Sequence, residues 1–177
     1  MFPSPVPDEA ITSLVYASDG LLVGTTTALG GTGVQPVRES GEVFLWNPST
    51  QSLVATLTPL AGQKEWGGLV STPFGIFGAN RTSVFRLDPA TQQLAVRTFD
   101  PKGGDDPWAS LTHMLYGAGH LYLLTGPGQL YLVDPRTLKA TPLFWGAEQA
   151  VVDGQDLYFS AQDSEELWRA PLARLVP

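Results

Sequence analysis

Apolar residues in this chain fall in short consecutive runs, separated every few positions by Gly, Pro, Asn or Asp. Runs such as "LLV", "VFLW" and "LYLVD" are apolar at successive positions, the pattern of strands buried on both faces. No stretch sustains a 3.6-residue period; "EELWRAPLARL" comes nearest, but Pro171 stands inside it. The pattern predicts an all-β chain.

Three segments repeat one sentence: "VFLWNPSTQSL" from residue 43, "VFRLDPATQQL" from residue 84 and "LYLVDPRTLKA" from residue 130. Each is a short strand followed by Asn or Asp (Asn47, Asp88, Asp134), then Pro, one free residue and Thr (Thr50, Thr91, Thr137). Proline presets φ at the second turn position, and the Asx side chain can accept backbone N–H groups two or three residues on, so each unit predicts a type I turn between antiparallel strands. A second mark precedes each: "VYASDGLLVGT", "MLYGAGHLYLLT" and "QAVVDGQDLYFS" read as apolar run, Gly-containing turn, apolar run, with "GLVSTPFGIFGA" a degenerate copy. The strand aromatics Phe44, Phe85, Tyr131 and Trp168 recur at intervals of 41, 46 and 37 residues. Four repeats result, at about 11–60, 67–100, 109–144 and 148–175, each with strands a to d; in the first these cover about 12–17, 21–25, 42–46 and 52–57.

A lone four-stranded sheet is marginal, whereas sheets stacked face to face bury both sides. The predicted fold is therefore a single β-propeller domain of four four-stranded antiparallel blades. It is either a closed four-bladed ring or half of an eight-bladed ring completed by a second chain. Residues 1–10 form an extended arm whose "FPSPVP" could close a ring along the outer edge of the last blade, where proline is tolerated. The repeats resemble the broad superfamily of YVTN-like and quinoprotein-like propellers over residues 11 to about 175. That resemblance implies a blade, not an activity. The Gly-His and Trp-Asp signals of WD40 repeats are missing, as are the Thr-Gly-Lys and following Trp of quinone-binding repeats, so no quinone cofactor is implied. The fourth copy has Ala170-Pro171-Leu172 in place of the turn signature, as a terminal repeat often does.

Composition narrows the function classes. Seventeen acidic against ten basic residues give a net charge of -7, which opposes attraction to nucleic acid or an anionic membrane. The absence of cysteine removes disulfides, thiolate metal sites and Cys nucleophiles. No apolar run approaches the roughly 20 residues of a membrane helix, and "MFPSPVPDEA" has no leader-like pattern, so the chain reads as soluble.

In a propeller the d-to-a and b-to-c loops share one face. Trp66, Trp108 and Trp145 stand just before three a strands on that face, beside Glu65, Asp105, Asp106 and Glu148. Indole faces next to carboxylates suit sugars and cationic groups; the competing role is filling the gaps between blades. The glycine-rich segment 24–40 is expected to be a rim loop, since no Gly-Lys-Ser/Thr follows. His113 and His120 fall toward opposite ends of one hairpin and read as structural. Asp100, Asp105 and Asp106, or Asp153 and Asp156, could offer oxygen ligands to Ca²⁺, although solvated turn carboxylates are the plainer reading. No other cofactor is expected. The sequence favours a non-catalytic module that binds a protein, peptide or saccharide at the tryptophan face. The alternatives are a carbohydrate-active or lactonase-like enzyme using Glu65, Asp106 or Glu148 as acid and base, and a structural unit of a larger propeller. A homodimer completing the ring is a further expected partner state.

Overall fold

Both kinds of turn read from the sequence are present, and they fold the chain into successive antiparallel sheets. A computed structural model describes residues 5–29, 38–101, 112–126, 128–161 and 164–176. The first sheet runs β1 (Ala10–Tyr16), β2 (Leu22–Thr27), β3 (Val43–Asn47) and β4 (Ser52–Leu57), hydrogen-bonded in that order. The second has β5 (Gly67–Thr72), β6 (Gly75–Ala79), β7 (Ser83–Asp88) and β8 (Gln93–Thr98). The third has β9 (His113–Gly117), β10 (His120–Leu124), β11 (Gln129–Val133) and β12 (Ala140–Trp145). The last has β13 (Ala147–Asp153), β14 (Asp156–Ala161) and β15 (Leu167–Pro171). The four blades are thus four sheets, the last with three strands among the described residues. Its c strand ends at Pro171, and the chain turns into a 3₁₀ segment, Leu172–Arg174, whose Leu172 side chain is buried. The proposed closing strand falls partly on residues 1–4, outside the described residues, and β15 carries no fourth strand among those described.

The Asx-Pro turns follow one design. Asn47 Oδ1 accepts the N–H groups of Ser49 and Thr50 at 2.9 and 3.2 Å. Asp88 Oδ1 accepts those of Ala90 and Thr91 at 3.0 and 3.3 Å, and Asp134 Oδ1 those of Arg136 and Thr137 at 2.8 and 2.9 Å. The residue after each Thr is left-handed: Gln51, Gln92 and Leu138 have φ of 54°, 57° and 57°. These N–H donors hold the Asp134 carboxyl below the usual range, the Thr137 amide foremost and the Arg136 amide next.

The chain forms two compact units. The first comprises residues 1–78 with 85–96. Its core faces Val23, Val43 and Leu45 of the first sheet toward Trp66, Ile76, Phe85 and Leu87, with Val15, Ala55 and Leu69 packed around them. A close approach recurs in both of its sheets. The Phe44 ring lies across Gly24, where a Cβ would meet Phe44 Cζ at 2.2 Å, and the Phe85 ring lies across Gly78, where the distance would be 2.3 Å. The second unit comprises residues 79–84 with 97–177. Its core joins Tyr122, Leu124 and Leu130 to Ala147, Leu157 and Leu172, and Phe144 meets Phe159 at 4.9 Å between centroids. The corner of the second sheet that belongs to this unit is tied down by Thr112 Oγ1 donating to the Ala79 carbonyl at 3.2 Å, by Arg97 donating to the Thr137 carbonyl at 3.0 Å, and by Phe99 against Tyr131.

Two predictions follow from this packing. Gly24→Ala or Gly78→Ala is expected to cost about 2–3 kcal/mol, because the ring above is buried and cannot yield; the double variant with Phe44→Leu should recover much of the Gly24 loss in urea denaturation. Asp134→Asn should leave stability at neutral pH nearly unchanged, as Asn47 does in the first repeat, while Asp134→Ala costs about 1 kcal/mol. Folding lowers the pKa of Asp134, so its contribution is present above the ordinary carboxylate range and is lost as pH falls through the folded value. Asp134→Asn should therefore flatten the acid limb of the stability profile.

Candidate functional site

The residues singled out from the sequence divide between the two units. Trp66 is fully buried in the first unit and meets the Phe85 ring edge-on at 5.3 Å. Of the two roles weighed for it, it fills the packing role, worth roughly 1.5–3 kcal/mol for a large apolar side chain. Its backbone N–H donates to the Thr26 carbonyl at 3.2 Å and its carbonyl accepts the Thr12 hydroxyl, so the segment before β5 is stitched to β1 and β2. Glu65 lies beside it, half-buried and bridged to Thr27, and burial pushes its carboxyl above the usual range. Trp145 ends β12 and is exposed, as is Glu148 on β13. Between them stand Gly146, which has φ of 96°, and Ala147; the N–H groups of these two converge on the Gly128 carbonyl at 2.9 and 3.1 Å. Trp108, Asp105 and Asp106 lie outside the described residues. Glu65 belongs to the first unit and Glu148 to the second.

Other expectations are adjusted by the structure. Gly24 to Thr27 are not loop but the body of β2, and Gly24 serves the Phe44 ring; residues 30–37 of that expected loop lie outside the described residues. His113 and His120 do sit at opposite ends of their hairpin, paired with Leu124 and Gly117. His120 Nδ1 is 2.8 Å from the Ala118 carbonyl, which it serves as donor. Asp153 and Asp156 face each other across the β13–β14 turn, and Asp156 is taken by Arg169 at 2.7 Å. Among the described residues no three His, Asp or Glu side chains gather as metal ligands.

The concave site on the first unit is one that the tryptophan argument missed. A cleft of about 720 Å³ opens at the opposite end of the strands, between the β1–β2 turn, the β5–β6 turn and the β7–β8 turn. Its apolar wall is Pro73, Phe74 and Pro89; its polar groups include Asp19, Arg86 and Asp88. Phe74 is presented at the tip of a turn fixed by one hydroxyl: Thr72 Oγ1 accepts the Phe74 N–H at 3.0 Å and donates to the Gly75 carbonyl at 2.9 Å. Gly75 has φ of 119°, and a Cβ there would lie 2.8 Å from the Leu87 carbonyl oxygen, so only glycine lets the turn close. Phe74 is left exposed as a result. Asp88 remains anionic, its pKa lowered first by the Thr91 hydroxyl and then by backbone donors, and Asp19 orients itself by accepting the Leu21 N–H at 3.2 Å. The sequence signal was "TPFG", a hairpin turn with a large aromatic where small or polar residues are usual.

No protein-family model and no curated protein sequence matches the chain. Solved structures do. The extracellular domain of a protein described as a one component system from B. thetaiotaomicron is similar with a TM-score of 0.65 at 15% identity, over 92% of this chain and 20% of that one. The β-propeller domain of Myceliophteria thermophila Cps50 (Swd1) gives 0.64 at 16% identity, over 93% of this chain and 54% of that one. The WD40 domain of Neurospora crassa Pan2 gives 0.56 at 10% identity, over 98% and 67%. The likeness at these identities is one of fold, and the chain has the β-propeller repeat fold. It spans a fifth of the first structure's chain and about half of the second's.

The half-buried carboxyl of Glu65 has a measurable consequence. Because folding raises its pKa, the folded state holds a proton that the unfolded chain has released, and stability falls as pH rises from the ordinary carboxylate range through the folded value. Glu65→Gln should remove that slope and leave the protein more stable at pH 7 than the parent, as measured by denaturation at several pH values.

Proposed function

We propose that the chain is a non-catalytic interaction module that takes an extended protein segment into the cleft of its first unit. The observation that carries this reading is the exposed Phe74, set on a turn fixed by Thr72 and lining one cleft with Pro73, Pro89, Asp19 and Asp88. An exposed aromatic on a fixed turn offers an apolar anchor at little entropic cost, and anchors of this kind supply much of the affinity of protein interfaces. Among the residues lining the cleft Asp19 and Asp88 outnumber Arg86, which favours a segment with a cationic group beside its apolar anchor, and a cleft of this size accommodates several residues. The similarity to propeller domains supports the reading only through the fold, since the fold hosts many functions.

A second reading is kept by the exposed Trp145 with Glu148 nearby in sequence, a stacking face and a carboxylate of the kind a saccharide uses.

Selection from a displayed random-peptide library, followed by fluorescence anisotropy with the selected peptide as the probe, separates these readings. Phe74→Ala should weaken binding by about tenfold or more, Asp19→Asn should weaken it less and reduce its salt dependence, and Trp145→Ala should leave it unchanged. Binding that survives Phe74→Ala but is lost in Trp145→Ala would move the site to the second unit. A glycan array tests the saccharide reading independently.

A further inference from the structure

The two faces of the first sheet are unlike. Cross-strand pairing puts Val15, Val23, Leu45 and Ala55 on one face, and these pack into the core of the first unit. On the other face the pairs run Leu14, Gly24, Phe44, Thr56 and then Tyr16, Leu22, Trp46, Leu53, with Ile11 on the same side opposite Thr26. Apart from Thr26, Thr56 and, at the Thr26 end, Glu42, this second face is apolar, yet Ile11, Leu14, Tyr16 and Leu53 are 43, 54, 61 and 43% exposed.

The same face of the second sheet shows what it is built for. There Leu69, Gly78 and Phe85 repeat the arrangement of Leu14, Gly24 and Phe44, with a Cβ at either glycine meeting the leucine as well as the phenylalanine. In that sheet Leu69 and Phe85 lie in a packed core. The exposed face thus has the chemistry of a face that is meant to be covered.

The last sheet marks the contrast. Its Ala150, Val152, Leu157 and Phe159 go into the core of the second unit, while its other face carries Gln149, Asp153, Asp156, Ser160 and Arg169 around Val151, Tyr158 and the exposed Leu167. Asp156 and Arg169 pair on it at 2.7 Å. This face therefore mixes a charged pair with apolar side chains. Covering the Leu14 face with this one would bury those charges against apolar side chains, a costly match.

We propose that the exposed face of the first sheet is a self-association surface, where a second copy of the chain docks through the same residues, Leu14 and Tyr16 against those of its partner. The apolar centre of this face can meet its own copy, because the charges at its Thr26 end, Glu9, Arg38 and Glu42, already bridge one another at 3.6 and 3.9 Å, and such self-matching is the condition for a two-fold contact. The four exposed side chains offer on the order of 400 Å² of apolar surface per copy, about as large as the biggest patch on a typical monomer. With half-buried Leu22 and Trp46 the pair buries about 1,000 Å², at the low end for a specific interface, so the dimer is expected to dissociate in the micromolar range. This contact differs from the head-to-tail completion of a ring, which would use the outer face of the last sheet.

Sedimentation velocity on the full chain from about 1 to 200 µM is the test. The expected result is a concentration-dependent monomer–dimer equilibrium. Leu14→Glu and, separately, Tyr16→Glu should weaken it at least tenfold with circular dichroism unchanged, since both positions are exposed in the monomer; Val151→Glu should leave it intact. A chain that stays monomeric throughout the range overturns the proposal. So does dissociation by Val151→Glu to the same extent, or growth beyond the dimer, either of which indicates a head-to-tail contact.

Discussion

The constraint behind this structure is that a four-stranded sheet has two faces and too little width to stand alone. The inner strands show it directly: β2, β3, β6, β7, β10 and β11 are almost wholly buried, while β4 and β8 along the edges alternate with solvent. Burial of Val23, Val43 and Leu45 against Phe85 and Leu87 is what stabilises the first unit, and Tyr122, Leu124 and Leu130 against Leu157 do the same for the second. Hydrogen bonds within each sheet fix the register, but face-to-face contact decides which sheets persist.

Turns are the other half of the design, and they are local. Each Asx-Pro-x-Thr unit satisfies two backbone donors with one side-chain oxygen and needs nothing from the rest of the chain. The same economy places Phe74: Thr72 and Gly75 fix a tight turn, and the aromatic has nowhere to go but outward into the cleft. A binding surface built from such turns inherits their rigidity, which limits the entropy lost when a ligand docks.

The packing of aromatics follows from what lies beneath them. Phe44 and Phe85 lie flat because Gly24 and Gly78 leave room. The equivalent Tyr131 has Leu123 as its neighbour on β10 and meets Phe99 instead, and Trp168 pairs with Phe159 on β14 and stays half exposed. One repeated position therefore takes three environments.

The sequence alone determined the strand-turn alphabet, the number of repeats and the all-β class, because these rest on backbone preferences that a few neighbouring residues set: proline's φ, an Asx acceptor, an apolar run. It also placed His113 and His120 at opposite ends of a hairpin and identified the last repeat as atypical. Tertiary structure decided everything that depends on which face meets which. Only packing could turn Trp66 inward while leaving Trp145 at the surface, lay the Phe44 ring across Gly24, and gather Asp19, Phe74 and Asp88 around one cleft from turns some 70 residues apart. Identity and spacing specify what a side chain can do, but burial is a property of the neighbours brought to it by distant parts of the chain, and no local pattern records them.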